Sequence, residues 1–191
     1  MEQNILQSIR ESIAVKEKLA EQKADDIAVA VEMLISSLRN GGRIHFAGNG
    51  GSAADAQHLA AELSGRFRFN RPPLNAEALH CNTSYLTAAA NDFGFVEAYA
   101  RLLKGTAQRG DVLVAISTSG NSENILCAAR AARAMGVQVI ALTGETGGKL
   151  KEYADLLINV PSHSTPRIQE CHILVGHILC ELVERELFEE N

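Results

Sequence analysis

The chain predicts an α/β domain built on a parallel sheet that helices cover on both faces. Short apolar runs of strand length, at 44–47, 76–79, 112–116, 137–142 and 156–160, alternate with longer segments of helical period. Strands separated by helices pair in parallel, because only a crossover can bring the chain back in the same direction. Two of the runs end in Gly- and Ser-rich turns, 48–52 and 117–122, that lead into helices. Ligands bind at that carboxyl edge of such sheets.

The 191 residues suit one domain with a sizeable core, with an N-terminal helical extension over about residues 1–40. The net charge of −5 argues against a general nucleic-acid or anionic-membrane binder. No apolar run approaches the roughly 20 residues of a membrane span. Met1 to Arg10 carries Glu2 and no apolar core of a signal peptide. Cys81, Cys127, Cys171 and Cys180 form no C-x-x-C pair, and reduced thiols in a cytoplasm are the plain expectation.

Taken in order, Ile5, Ile9 and Ile13 mark a first amphipathic helix. After Ala24-Asp25-Asp26 a second carries Ile27, Val31, Leu34, Ile35 and Leu38, and Asn40-Gly41-Gly42 stops it. The expectation is an N-terminal helical hairpin. The strand 44–47 runs into the Gly turn and a helix to about Ser64. A basic, proline-ended loop follows over 66–73, then the short strand 76–79. Helices are expected over 83–90 and 96–107, parted by Asn91-Asp92-Phe93-Gly94. The strongly apolar strand 112–116 leads through the Ser/Thr turn to a helix over 123–135. Strand 137–142, a third Gly-rich turn over 143–148, strand 156–160 and a long helix over 168–187 complete the chain.

The densest chemistry lies between Gly48 and Glu62. Glycines let a backbone fold tightly and let a ligand come close. The helix that follows points free N–H groups into the same space, which favours anions. His58 and Glu62 are spaced i, i+4 and share one helix face. They suit metal ligands, a base with its partner, or simply a solvated surface pair. Gly48-x-Gly50-x-x-Ala53 is also a weak dinucleotide fingerprint, with Glu77 available for a ribose, but no Gly-Lys-Ser/Thr makes it a phosphate loop of the nucleotide-hydrolase type. Ser117, Thr118, Ser119 and Ser122 set four hydroxyls about a helix N-terminus, more than one cap needs and apt for a phosphate. In the last helix Gln169 and His177 lie off the core stripe, next to a small-residue face at Gly176 and Cys180 that would admit another surface, while His172 reads as a core histidine.

Together Gly48-Asn49-Gly50-Gly51-Ser52, His58-x-x-x-Glu62, Asn91-Asp92-Phe93-Gly94-Phe95, Ser117 to Ser122 and Arg167-Ile168-Gln169-Glu170 resemble the bacterial phosphoheptose isomerases, within the sugar isomerase (SIS) domain family. The likeness covers nearly the whole chain. It implies a flavodoxin-like three-layer sandwich with a five-stranded parallel sheet, assembled as a homotetramer. It implies interconversion of sedoheptulose 7-phosphate and D-glycero-D-manno-heptose 7-phosphate, the first step toward the nucleotide-activated heptose of lipopolysaccharide core or related glycans. One relative in the family is instead a non-catalytic adaptor for the replication initiator DnaA. Its pattern lacks the glutamate that this chain carries at Glu62.

The resemblance also implies roles. Glu62 is the expected base and His177 its acid partner, since an aldose–ketose isomerase must move a proton between adjacent carbons. Ser117, Thr118, Ser119 and Ser122 would hold the phosphate. Asn49, Gly50, Gly51, Ser52, Asn91, Asp92 and Gln169 would contact the sugar. His58, Glu62, Gln169 and His177 would bind zinc. Gln169 and His177 stand eight residues apart on one helix, about 12 Å along its axis. Convergence on one ion is therefore expected at a subunit interface, with His58 and Glu62 from one chain and at least one of the other two from its neighbour.

Overall fold

The computed structural model describes residues 1–189. Its centre is a five-stranded, all-parallel sheet in the order β2-β1-β3-β4-β5. The strands are β1 (Ile44–Ala47), β2 (Ala76–Ala78), β3 (Val112–Ser117), β4 (Gln138–Thr143) and β5 (Leu156–Asn159). Register runs Ile44 to Val112 across β1 and β3, Val112 to Gln138 across β3 and β4, and Ile140 to Leu156 across β4 and β5.

The helices among the described residues are α1 (Glu2–Arg39), α2 (Gly51–Ser64), α3 (Thr83–Phe93), α4 (Phe95–Thr106), α5 (Glu123–Met135) and α6 (Thr165–Phe188), with a 3-10 turn at Gly148–Glu152. Successive strand residues face opposite sides, so one sheet fills two cores. Ile44, Phe46, Val112, Val114, Ile116, Ile140 and Leu142 pack against α1, α2 and α6. Leu113, Ala115, Val139 and Ala141 pack against α4 and α5. All six residues of β3 are buried. This is the expected three-layer sandwich.

The expected N-terminal hairpin is instead one 38-residue helix, α1. Ala24-Asp25-Asp26 does not break it, because nothing in 2–39 is Gly or Pro and Lys23 pairs with Asp26 at 2.9 Å across one turn. Its C-terminal half is packed, with Ala30 and Leu34 fully buried, while Ile5, Leu6, Ile9 and Ile13 near its start are exposed. Only Gly94, at φ 83°, parts α3 from α4, so Asn91 and Asp92 end a helix rather than form a loop. The broad apolar girth of α6 is mostly covered within the chain by α1, α2 and the sheet. Most of the exposed apolar surface lies on α1 and at the α3–α4 junction, where Phe93, Phe95 and Val96 stand out, while α6 exposes Leu182.

Candidate active site

The order of the sheet makes the site. From β1 the chain goes to the edge strand β2, and from β3 it goes the other way to β4. The turns after these two neighbours therefore diverge and leave a crevice at the carboxyl edge. Gly50, at φ 56°, is the N-cap of α2 and adopts a backbone conformation that glycine alone tolerates well. The two turns are tied across the crevice. Asn49 Nδ2 donates to Asn124 Oδ1 and Asn124 Nδ2 donates to Asn49 Oδ1, each at 2.8 Å. Tyr99 adds a bond from its hydroxyl to the carbonyl of Gly48 at 2.9 Å. The Asn49 amide thus faces a protein partner on both its polar atoms.

The Ser/Thr turn lies where β3 delivers it. Ser117 is buried, and its Oγ sits 3.1 Å from Ser122 Oγ. Ser119 is exposed and accepts the Asn121 N–H at 3.1 Å. Ser122 is the N-cap of α5 yet makes no side-chain capping bond. The Ser122 hydroxyl is therefore not used up as a cap; the Ile125 N–H goes to Asn124 Oδ1 at 3.0 Å, which leaves those of Glu123 and Asn124 to face an anion. A cavity of about 280 Å³ opens beside Thr118 and Ser119, lined also by Gly144, Glu145, Ser162 and His163.

Two turns into α2 the His/Glu cluster appears. His58 Nε2 lies 3.0 Å from His177 Nε2 and 3.4 Å from Glu62 Oε1. The His58 and His177 rings meet edge to face at 5.2 Å, and the Phe67 ring backs His177 at 5.8 Å. So His177 reaches His58 within one chain, and the expected contribution of a neighbouring subunit to this cluster falls to Gln169 alone. The reason is helix packing. α6 runs beside α2 in the same direction, and Gly176 has no side chain to hold Leu59 away. The small-residue face at Gly176 and Cys180 admits α2 of the same chain.

Gln169 lies at the other end of this helix pair. Its amide is packed against Gly51, with Nε2 2.6 Å from where a β-carbon of that glycine would stand. The axial separation from His177 is real, and Gln169 does not join the His58–His177–Glu62 group. Asn91 and Asp92 are exposed and bond each other at 2.9 Å. Ser52 is buried beneath the first turn of α2.

Two residues near these groups were missed in the sequence. Asn124 gives no sign of its bridging role, which depends on where β1 and β3 meet. Asp55 stands one turn before His58, a spacing that could have marked it. Its Oδ2 is buried without a partner. Burial raises its carboxyl pKa above the usual value, while His58 and His177 pull the other way.

The donor set can be tested against zinc. Tetrahedral zinc holds nitrogen ligands at about 2.0–2.1 Å, which sets two of them roughly 3.3 Å apart. The spacings at His58 stand near that value. Two imidazoles and a carboxylate are suitable donors. As placed, however, no group of three or more His, Cys, Asp or Glu side chains among the described residues is arranged to hold a metal ion.

Comparison with known proteins bears on the whole chain. The family model described as "SIS domain" matches residues 7–144. A phosphoheptose isomerase of Mycobacterium tuberculosis is 55% identical over 180 residues, 93% of this chain and 92% of that protein. The structure of a phosphoheptose isomerase from Neisseria gonorrhoeae superposes with a TM-score of 0.91 at 42% identity, covering 96% of this chain and 98% of the other. One from Francisella tularensis gives 0.93 at 37% identity, covering 96% and 97%. With the crevice at the β1–β3 switch point, the open hydroxyl turn and the His/Glu cluster in place, the chain belongs to the SIS domain family and, within it, to the phosphoheptose isomerases.

Proposed function

We infer that this isomerase interconverts sedoheptulose 7-phosphate and D-glycero-D-manno-heptose 7-phosphate, the entry step to nucleotide-activated heptose for lipopolysaccharide core. The observation that carries the reading is the grouping of Glu62, His58 and His177, with His58 3.0 Å from His177 and 3.4 Å from Glu62, beside an uncapped hydroxyl turn at the neighbouring strand end. In the ketose-to-aldose direction Glu62 removes a proton from C1 while His177 protonates the oxygen on C2, which gives an enediol. Glu62 returns the proton to C2, His177 takes back a proton from the C1 hydroxyl, and the aldehyde forms at C1. Ser117, Thr118, Ser119 and Ser122 with the N-terminus of α5 hold the phosphate. Gly50, Gly51 and Ser52 border the sugar, with Gln169 against Gly51.

Zinc belongs to the same proposal. His58, Glu62 and His177 would hold it, and when bound it would polarise the carbonyl oxygen. A metal assay on the purified protein and on His58→Ala tests this: zinc present in the first and lost in the second supports it.

An oligomer, a tetramer by resemblance, is also proposed. Ile5, Ile9 and Ile13 along one exposed stripe, with Phe93 and Phe95 elsewhere, leave apolar surface that needs cover. In such an assembly Asn91 and Asp92, which lie beside Phe93, would come to a site with their neighbour's help. No helix among the described residues is long and apolar enough to cross a membrane. Free cysteines and a phosphorylated substrate suit the cytoplasm.

The decisive experiment is incubation of the pure protein with sedoheptulose 7-phosphate. Appearance of the aldose supports the reading, and its absence under conditions that turn over a relative would overturn it. Nothing among the relatives above supports the alternative of a DnaA adaptor.

A further inference from the structure

Glu184 sits in α6 next to the core stripe Leu179, Cys180 and Val183, and its side chain is only 1% exposed. A carboxylate in such a place is costly unless every oxygen is paired. Here both are. Oε1 accepts the N–H of Phe67 at 2.9 Å, and Oε2 accepts those of Arg68 and Phe69 at 2.6 and 3.1 Å. Arg71 Nε completes the set at 2.9 Å, and its side chain is 2% exposed. Burial pushes the Glu184 carboxyl up, but these three N–H groups and the Arg71 guanidinium reverse that and leave it below its usual value.

The bonds go further than closing a loop. Three successive amides aimed at one carboxylate fix the path of the backbone at 67–69, and that path lays the Phe67 ring on His177. Arg71 turns its remaining nitrogens to the end of α2. Nη2 donates to the carbonyl of Glu62 at 3.0 Å and Nη1 to that of Leu63 at 2.8 Å. These carbonyls have no partner inside their own helix. One buried carboxylate on α6 therefore reaches both the backbone of Glu62 and the ring of His177.

We propose that Glu184 and Arg71 are positioning residues for the isomerisation: together they lock the end of α2 to α6 and, through Phe67, set the His177 ring relative to Glu62. The proposal rests on the isomerase reading for its kinetic part only. Misplacing a reacting group by about 1 Å costs on the order of a hundredfold in rate. Substrate binding should be spared, because the polar partners of this pair lie in the 62–72 stretch and not in the hydroxyl turn after β3.

The test uses Glu184→Gln, Arg71→Lys, Phe67→Ala and Phe67→Tyr in the full chain, with thermal melts to identify the folded variants. Glu184→Gln and Phe67→Ala should lower kcat about tenfold to a hundredfold, with KM for the sugar phosphate within about threefold. Phe67→Tyr, which keeps the ring, should restore most of kcat. In parallel, the His177 imidazole resonances in NMR should shift in Glu184→Gln and Phe67→Ala and return in Phe67→Tyr. If Glu184→Gln does not fold, Arg71→Lys and the Phe67 pair carry the same comparison. Folded variants with wild-type kcat, or with only a raised KM, would overturn the proposal, as would unmoved His177 resonances. A wild-type protein that fails to turn over the sugar, while those resonances respond as expected, would count against the substrate and leave the positioning intact.

Discussion

Leu59 of α2 lies directly over Gly176 of α6, so close that a β-carbon on the glycine would overlap the leucine side chain. That contact sets how near the two helices come, and with it the meeting of His58 and His177 one residue away on each.

Gly176→Ala should therefore push the helices apart. Overpacking of this kind costs about 1–3 kcal/mol. The variant should melt at a lower temperature and lose turnover beyond what its folded fraction explains. Wild-type activity at full folding would show that the spacing of α2 and α6 is not critical.

Glu62→Gln should leave the fold and phosphate binding nearly unchanged, since among the described residues its side chain's one ion pair is to His58 at 3.4 Å. A general base contributes roughly 10²–10⁴-fold, so kcat should fall in that range. Steady-state rates beside a melting curve would decide it, and a rate equal to wild type would remove Glu62 from the chemistry.

Ser119→Ala and Ser122→Ala should raise KM for the phosphorylated sugar more than they lower kcat. A hydrogen bond to a charged group is worth about 1.5–3 kcal/mol. Ser119→Ala is the cleaner variant, because Ser122 also contacts Ser117. Equal affinity of the native protein for the sugar without its phosphate would rule this turn out as the anchor.

His172 is fully buried, and its Nε2–H donates to the carbonyl of Thr143 at 3.1 Å. Burial lowers its pKa from 6.5 to about 4. In the unfolded chain it takes up a proton near pH 6.5, while in the native protein it resists until about pH 4. Its contribution to stability is thus complete above pH 6.5 and fades as pH falls from 6.5 toward 4, by about 3 kcal/mol in all. Urea unfolding of the native protein and of His172→Gln across this range should show a steeper fall with acid in the native protein. Parallel curves would mean that His172 does not titrate on unfolding.

Much of the fold follows from the local pattern of the sequence. Apolar runs of four to six residues separated by helical segments determined five parallel strands, because side-chain period and crossover length leave few alternatives. The two turns at the carboxyl edge, and His58 and Glu62 on one face of α2, followed from spacing alone, since a helix repeats every 3.6 residues. Local periodicity misjudged α1: paired aspartates looked like a break, yet without Gly or Pro a helix continues when its far half is packed. Relations between segments distant in sequence arose instead from the packed fold. Asn49 finds Asn124 because β1 and β3 are neighbours. His177 finds His58 because a glycine lets two helices touch. Glu184, an unremarkable letter near the end of a helix, becomes the anchor of a loop over a hundred residues earlier in the chain. Such pairings depend on the sheet order and the distance between helices, and these emerge from the packing of all the elements at once rather than from the period of any one.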